Sequence, residues 1–126
     1  MATFTCDHIH LRSLDPVAAA GFYTSVLGAT ELDRVQNGPA LRIILGLAGL
    51  RLFIEQVPPG TAAPPAPPFV GVEHIGLAVE DLDAVASEMA GKGVEFTMQP
   101  TVLRPDLKIA FIQAPDGVRI ELLQRG

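Results

Sequence analysis

Asp7-His8-Ile9-His10-Leu11 and Glu73-His74-Ile75-Gly76-Leu77 decide the fold, because the second stretch repeats the first 66 positions later. The same offset carries Asp15 onto Asp81, Leu41-Arg42-Ile43 onto Leu107-Lys108-Ile109, and Ile54-Glu55 onto Ile120-Glu121, without a gap. Self-similarity at a fixed period means that one supersecondary unit is used more than once. In a chain of 126 residues, this period leaves room for two copies.

Each copy has the same order of elements. Residues 4–12 and 72–79 run apolar or alternate over strand length. A helix follows each. The first takes Asp15 as N-cap and Pro16 at N1 and closes near Gly28, with Ala19, Phe22, Tyr23 and Val26 spaced along one face. The second is capped by Asp81, has Leu82, Val85, Ala86 and Met89 at the same spacing, and meets glycines at 91 and 93. Three strands are expected after each helix, over 29–36, 40–46 and 50–57, then 94–98, 107–113 and 117–124. Asn37-Gly38 and Asp116-Gly117 supply turn residues between strands. The expected fold class is therefore α+β, a βαβββ module used twice within a single domain, 1–126. The first module covers 4–57 and the second 71–126. Between them, the linker 58–70 is rich in proline, which excludes helix and central strand and favours an extended connector.

Composition narrows the function. The chain is 48% hydrophobic and 18% charged, so it can build a core and is not a disordered segment. A formal net charge of −5 gives no basic face for a nucleic-acid partner. No apolar stretch reaches membrane-spanning length, because Gly46, Gly49 and Arg51 interrupt the longest one. The N-terminus lacks a basic segment followed by an apolar run, so a signal peptide is not expected. Cys6 stands alone, which excludes an internal disulfide and suits a reducing compartment. The expectation is a cytoplasmic protein.

His8, Glu55, His74 and Glu121 carry the chemistry. Imidazole and carboxylate donors suit divalent Zn, Ni, Co, Mn or Fe. Singly, each is an ordinary residue of a strand. Their recurrence at one offset changes that, since duplication preserves sidedness. Each is expected mid-strand, one His and one Glu per module giving half a site for one divalent metal ion.

The chain resembles the vicinal oxygen chelate superfamily, which includes glyoxalase I, methylmalonyl-CoA epimerase, extradiol dioxygenases and bleomycin and fosfomycin resistance proteins. The resemblance rests on residues 7–11 through Asp15, Phe22-Tyr23 and Leu27-Gly28. It recurs over Glu73 to Leu82 and in Ile109-Ala110-Phe111, Pro115-Asp116-Gly117 and Ile120-Glu121-Leu122. It implies a curved, cup-shaped sheet around one metal, binding a small-molecule substrate through adjacent oxygens. It also implies a homodimer, with modules paired within a chain or swapped between two. The activity implied is that of a glyoxalase I-like lyase or isomerase, transferring a proton beside a metal-bound carbonyl through an enediolate or enolate. A methylmalonyl-CoA epimerase-like enzyme is the alternative. A dioxygenase needs only two His and one carboxylate, and antibiotic-binding members lack the ligands. By the same resemblance Glu121 or Glu55 acts as the base.

Where the two copies differ, the substrate should be read. Side chains alternate along a strand, so His10 and Arg12 share the face of His8. Their counterparts at the common offset, Gly76 and Ala78, are small. His10 is then a candidate substrate contact or proton shuttle. Arg12 is a candidate anchor for a carboxylate or thioester, at the place where glyoxalase I-like proteins contact glutathione through an arginine.

Overall fold

The computed structural model describes residues 2–126. The chain divides into two compact units, Met1–Ala62 and Ala63–Gly126. The division falls inside the Pro-rich stretch, and Pro64 lies close to Gly117 within the second unit.

The first unit contains β1 (Ile9–Ser13), α1 (Pro16–Leu27), β2 (Thr30–Asn37), β3 (Ala40–Leu47) and β4 (Leu50–Gln56). The second contains β5 (Ile75–Ala78), α2 (Leu82–Gly91), β6 (Phe96–Arg104), β7 (Leu107–Gln113) and β8 (Arg119–Arg125). A short 3-10 turn, Pro115–Gly117, precedes β8. Each unit is one four-stranded sheet, in the order β1-β4-β3-β2 or β5-β8-β7-β6. The first strand of each runs parallel to the last, and the other pairs are antiparallel. This is the α+β, twice-βαβββ fold expected from the repeat.

Both helices start where the caps demand. Asp15 Oδ1 accepts from the Ala18 N–H at 3.1 Å, and Asp81 Oδ1 accepts from the Ala84 N–H at 3.1 Å. Gly28, at φ 71°, ends α1 in the left-handed conformation that glycine adopts most readily. Pro16, Ala19, Ala20 and Tyr23 are the buried face of α1, and Leu82, Ala86 and Met89 that of α2. In the sheets the buried positions include Ile43, Leu45, Leu47, Leu52 and Ile54, and in the second unit Ile109, Ala110, Ile112, Ile120 and Leu122. Apart from the adjacent pair Ile109-Ala110, their two-residue spacing along each strand leaves the intervening side chains on the opposite, open face.

Three strand boundaries differ most from the sequence reading. Strands β1 and β5 start at Ile9 and Ile75, so His8 and His74 stand just before the ladders rather than mid-strand. Strand β6 runs on to Arg104 although Pro100 lies inside it. It is an edge strand with register shifts against β7, and there a missing N–H costs least.

The ungapped offset also breaks inside the modules. The β3–β4 hairpin closes through Ala48 and Gly49, whereas β7 and β8 are separated by residues 114–118. The first loop is shorter by three residues, an odd number, so sidedness is exchanged between β3 and β7. Arg42 therefore lies on the face of Glu55. Its sequence counterpart Lys108 lies on the helix side, where Nζ donates to Asp83 of α2 at 2.8 Å.

Candidate functional site

On β4, Leu52 and Ile54 are buried, so Phe53 and Glu55 take the open face. Strand register then fixes their neighbours. Glu55 sits opposite Arg12 on one side and Arg42 on the other, a row Arg12–Glu55–Arg42 across three strands. Arg42 donates to Glu55 Oε1 from Nε at 3.1 Å and Nη2 at 2.8 Å. These bonds, with the nearby His10, hold the Glu55 carboxyl below its ordinary pKa. His10 Nε2 lies 3.1 Å from Glu55 Oε1. His8 instead stacks on Phe53, with ring centroids 3.9 Å apart and planes 4° from parallel. Its Nδ1 donates to Asp7 Oδ2 at 2.7 Å, and this bond lowers the pKa of Asp7.

The second unit has the same acid–imidazole chemistry with a different surround. His74 Nδ1 donates to Glu73, and Nε2 lies 3.1 Å from Glu121 Oε1. Glu73 also pairs with Arg119, whose guanidinium lies 4.3 Å from the Phe111 ring centroid. Phe111 meets the His74 ring edge-on at 5.1 Å. The row matching Arg12–Glu55–Arg42 is Gly76–Glu121–Phe111, with no cation in it. A Cβ at Gly76 would lie 3.7 Å from Glu121 Oε1, so glycine keeps that flank open.

The register of the first strand differs between the units. Glu55 lies 43 positions after its partner Arg12, and Glu121 lies 45 after Gly76. A two-residue shift keeps every side chain on its face. It brings His10, not His8, beside Glu55 in the way that His74 stands beside Glu121. Sequence comparison at a single offset could not find this shift. It could have found Asp7 and Glu73, which share the offset and immediately precede the two histidines.

The donors fit a divalent cation. His74 has carboxylates at both ring nitrogens, yet a neutral imidazole has one N–H to give. Nε2 then keeps its lone pair beside the Glu121 oxygen, an N and O donor pair of the kind that would hold a divalent cation. Among the described residues, no three His, Cys, Asp or Glu side chains gather into one metal-holding cluster.

With the fold and these pairs in view, comparison with known proteins is decisive at the family level. A model of the Glyoxalase/Bleomycin resistance protein/Dioxygenase superfamily matches residues 5–122. The chain belongs to this superfamily. Among its relatives, "Uncharacterized protein YaeR" of Escherichia coli K12 is 25% identical over 123 residues, covering 94% of each chain. "Probable lactoylglutathione lyase" of Synechocystis is 36% identical over 55 residues, 43% of this chain and 42% of that one. The chain thus matches less than half the length of that lyase. Among solved structures, a glyoxylase/bleomycin resistance protein/dioxygenase domain from Frankia superposes with a TM-score of 0.82 at 22% identity. It covers 99% of this chain and 100% of that one. Glyoxalase I of Zea mays superposes with a TM-score of 0.78 at 23% identity, over 94% of this chain and 44% of that one. These likenesses establish a glyoxalase-superfamily fold. In this member, no helix among the described residues is long and apolar enough to cross a membrane.

Proposed function

We propose that this superfamily member is a metal-dependent glyoxalase I-like lyase or isomerase, with His8, Glu55, His74 and Glu121 as the metal ligands. The observation that carries the reading is the paired donor chemistry of the two open sheet faces. In the second unit His74 Nε2 lies 3.1 Å from Glu121 Oε1; in the first, His10 Nε2 is at that distance from Glu55 Oε1, and His8 enters the ligand set as the repeat equivalent of His74. A divalent ion bound there would act as a Lewis acid, polarising a substrate carbonyl so that a proton can leave the adjacent carbon as an enediolate forms.

Glu121 is the better base. Glu55 is tied by two bonds from Arg42, which lower its proton affinity and restrain its movement. Glu121 meets only His74 among the described polar partners, and Gly76 leaves its flank open. Arg12 would bind an anionic group of the substrate, and His10 would contact the substrate or relay a proton. An epimerase needs a base on each side of the carbon, so the grip of Arg42 on Glu55 favours the glyoxalase reading. The homodimer and the cytoplasmic location belong to the same proposal.

The test is turnover of metal-loaded protein with methylglyoxal plus glutathione, beside epimerisation of a 2-methylmalonyl thioester. Formation of lactoylglutathione is expected, with Glu121→Gln losing about 10²–10⁴ in kcat. Turnover of the thioester alone would move the assignment to the epimerase, and turnover of neither would overturn both.

A further inference from the structure

We infer that Asp7 and Glu73 are positioning residues that select His8 and His74, and not His10, as the nitrogen donors to the metal. The inference rests on the metal-dependent reading above and assigns a role to two residues that the reading leaves unused.

Three histidines lie in the chain, and only two have a carboxylate on Nδ1. His8 Nδ1 bonds to Asp7, and His74 Nδ1 bonds to Glu73. An ionised carboxylate accepts and cannot donate, so Nδ1 must carry the proton in both rings. A neutral ring protonated at Nδ1 has its lone pair at Nε2, the form that coordinates a metal. His10 has no such partner among the described residues. Its polar contact there is from Nε2 to Glu55.

Both acids stand one position before their histidine and 66 positions apart, as the histidines themselves do. The identity of the acid changes between modules, but the bond does not. The supports beyond the acids differ. His8 is clamped by the parallel ring of Phe53, with centroids 3.9 Å apart. Glu73 is itself held by Arg119, which rests over Phe111. Each ring therefore has a fixed tautomer and a fixed plane, the two properties that a directional ligand requires. In His10 the carboxylate contact is at Nε2 itself, so the proton sits on the nitrogen that faces the site, and His10 is left for the substrate.

The experiment measures Co(II) binding to the full chain and, in the same metal-free protein, the imidazole tautomers by ¹⁵N-edited NMR. Asp7→Ala and Glu73→Ala should each weaken Co(II) binding about 10–100-fold. Asp7→Asn and Glu73→Gln keep an acceptor oxygen and should recover most of that loss. In the native chain His8 and His74 should show protonation at Nδ1, and each should move towards Nε2 protonation when its own acid is changed to alanine. His10→Ala should retain Co(II). If Asp7→Ala and Glu73→Ala bind Co(II) as the native chain does, while His8→Ala and His74→Ala do not bind, the positioning role is overturned and the metal reading stands. If His8→Ala and His74→Ala bind as tightly as the native chain, the metal reading fails and takes this inference with it. Unchanged far-UV circular dichroism in the acid variants separates either outcome from a loss of fold.

Discussion

Arg12 stands directly across the parallel β1–β4 ladder from Glu55, where the second module has Gly76 across from Glu121. One glutamate is thereby lodged between two arginines and the other between a glycine and a phenylalanine. The two modules, alike in fold, thus differ in the charge around their glutamates. Arg12 is exposed and forms no ion pair among the described residues, so its guanidinium is available. Arg12→Ala should raise KM for an anionic substrate about tenfold or more while leaving the melting temperature nearly unchanged, since charge-assisted hydrogen bonds are worth about 1.5–3 kcal/mol. Steady-state kinetics beside a thermal melt checks this. An unchanged KM would remove Arg12 from the substrate site.

The loop before β8 makes a sharper demand on backbone. Gly117 has φ +75°, and a Cβ there would lie 2.9 Å from Pro64 Cγ. Gly117→Ala should destabilise the protein by about 1–2 kcal/mol from the left-handed backbone alone, with the contact added. Adding Pro64→Ala should recover the contact part and leave the backbone part. Urea unfolding of the two variants and their combination measures the difference.

Core and surface substitutions should separate cleanly. Leu52 and Ile120 are fully buried, one in each sheet. Leu52→Ala and Ile120→Ala should each cost about 2–5 kcal/mol, because a cavity remains where the side chain was. Val102, on the β6 edge, is 62% exposed, and its alanine variant should stay within about 0.5 kcal/mol of the native chain. Comparable losses at all three would contradict the assigned core.

A register shift on β2 predicts a pH effect. The ladder skips between Glu31 and Asp33, so Glu31 and Arg34 can meet despite their odd spacing along a strand. Arg34 donates to both Glu31 oxygens, at 2.8 and 3.0 Å, and these bonds hold the Glu31 pKa below its ordinary 4.5. A carboxyl depressed on folding contributes stability that is present above its unfolded pKa and is lost as pH falls through the folded value. Arg34→Gln should move the Glu31 titration, followed by ¹³C NMR, up towards 4.5, and it should remove that acid-side loss. A midpoint that does not move would show that the pair is not formed in solution.

Much of this was legible in the residues. Capping by Asp15 and Asp81, the glycine stop of α1 and the order of elements all follow from local chemistry acting within a few residues. The repeat aligned Glu55 with Glu121, and both take the open face of their sheets, between buried neighbours. It failed at Arg42, whose partner is set by the length of the β3–β4 turn. Three residues fewer in that turn exchange the faces, so the alignment Arg42–Lys108 is true of sequence and false of space. It failed again at His10, because the pairing register of β1 depends on hydrogen bonds to a strand far away in the chain. Local pattern sets which face a residue takes; ladder register sets whom it meets there.

We propose that the four repeat-equivalent side chains hold one metal. The most direct test is elemental analysis of protein purified without added metal, for the native chain and for Glu55→Ala and His74→Ala. Stoichiometric divalent metal is expected in the native chain, and loss of it in both variants. Stoichiometric metal retained by both would contradict it.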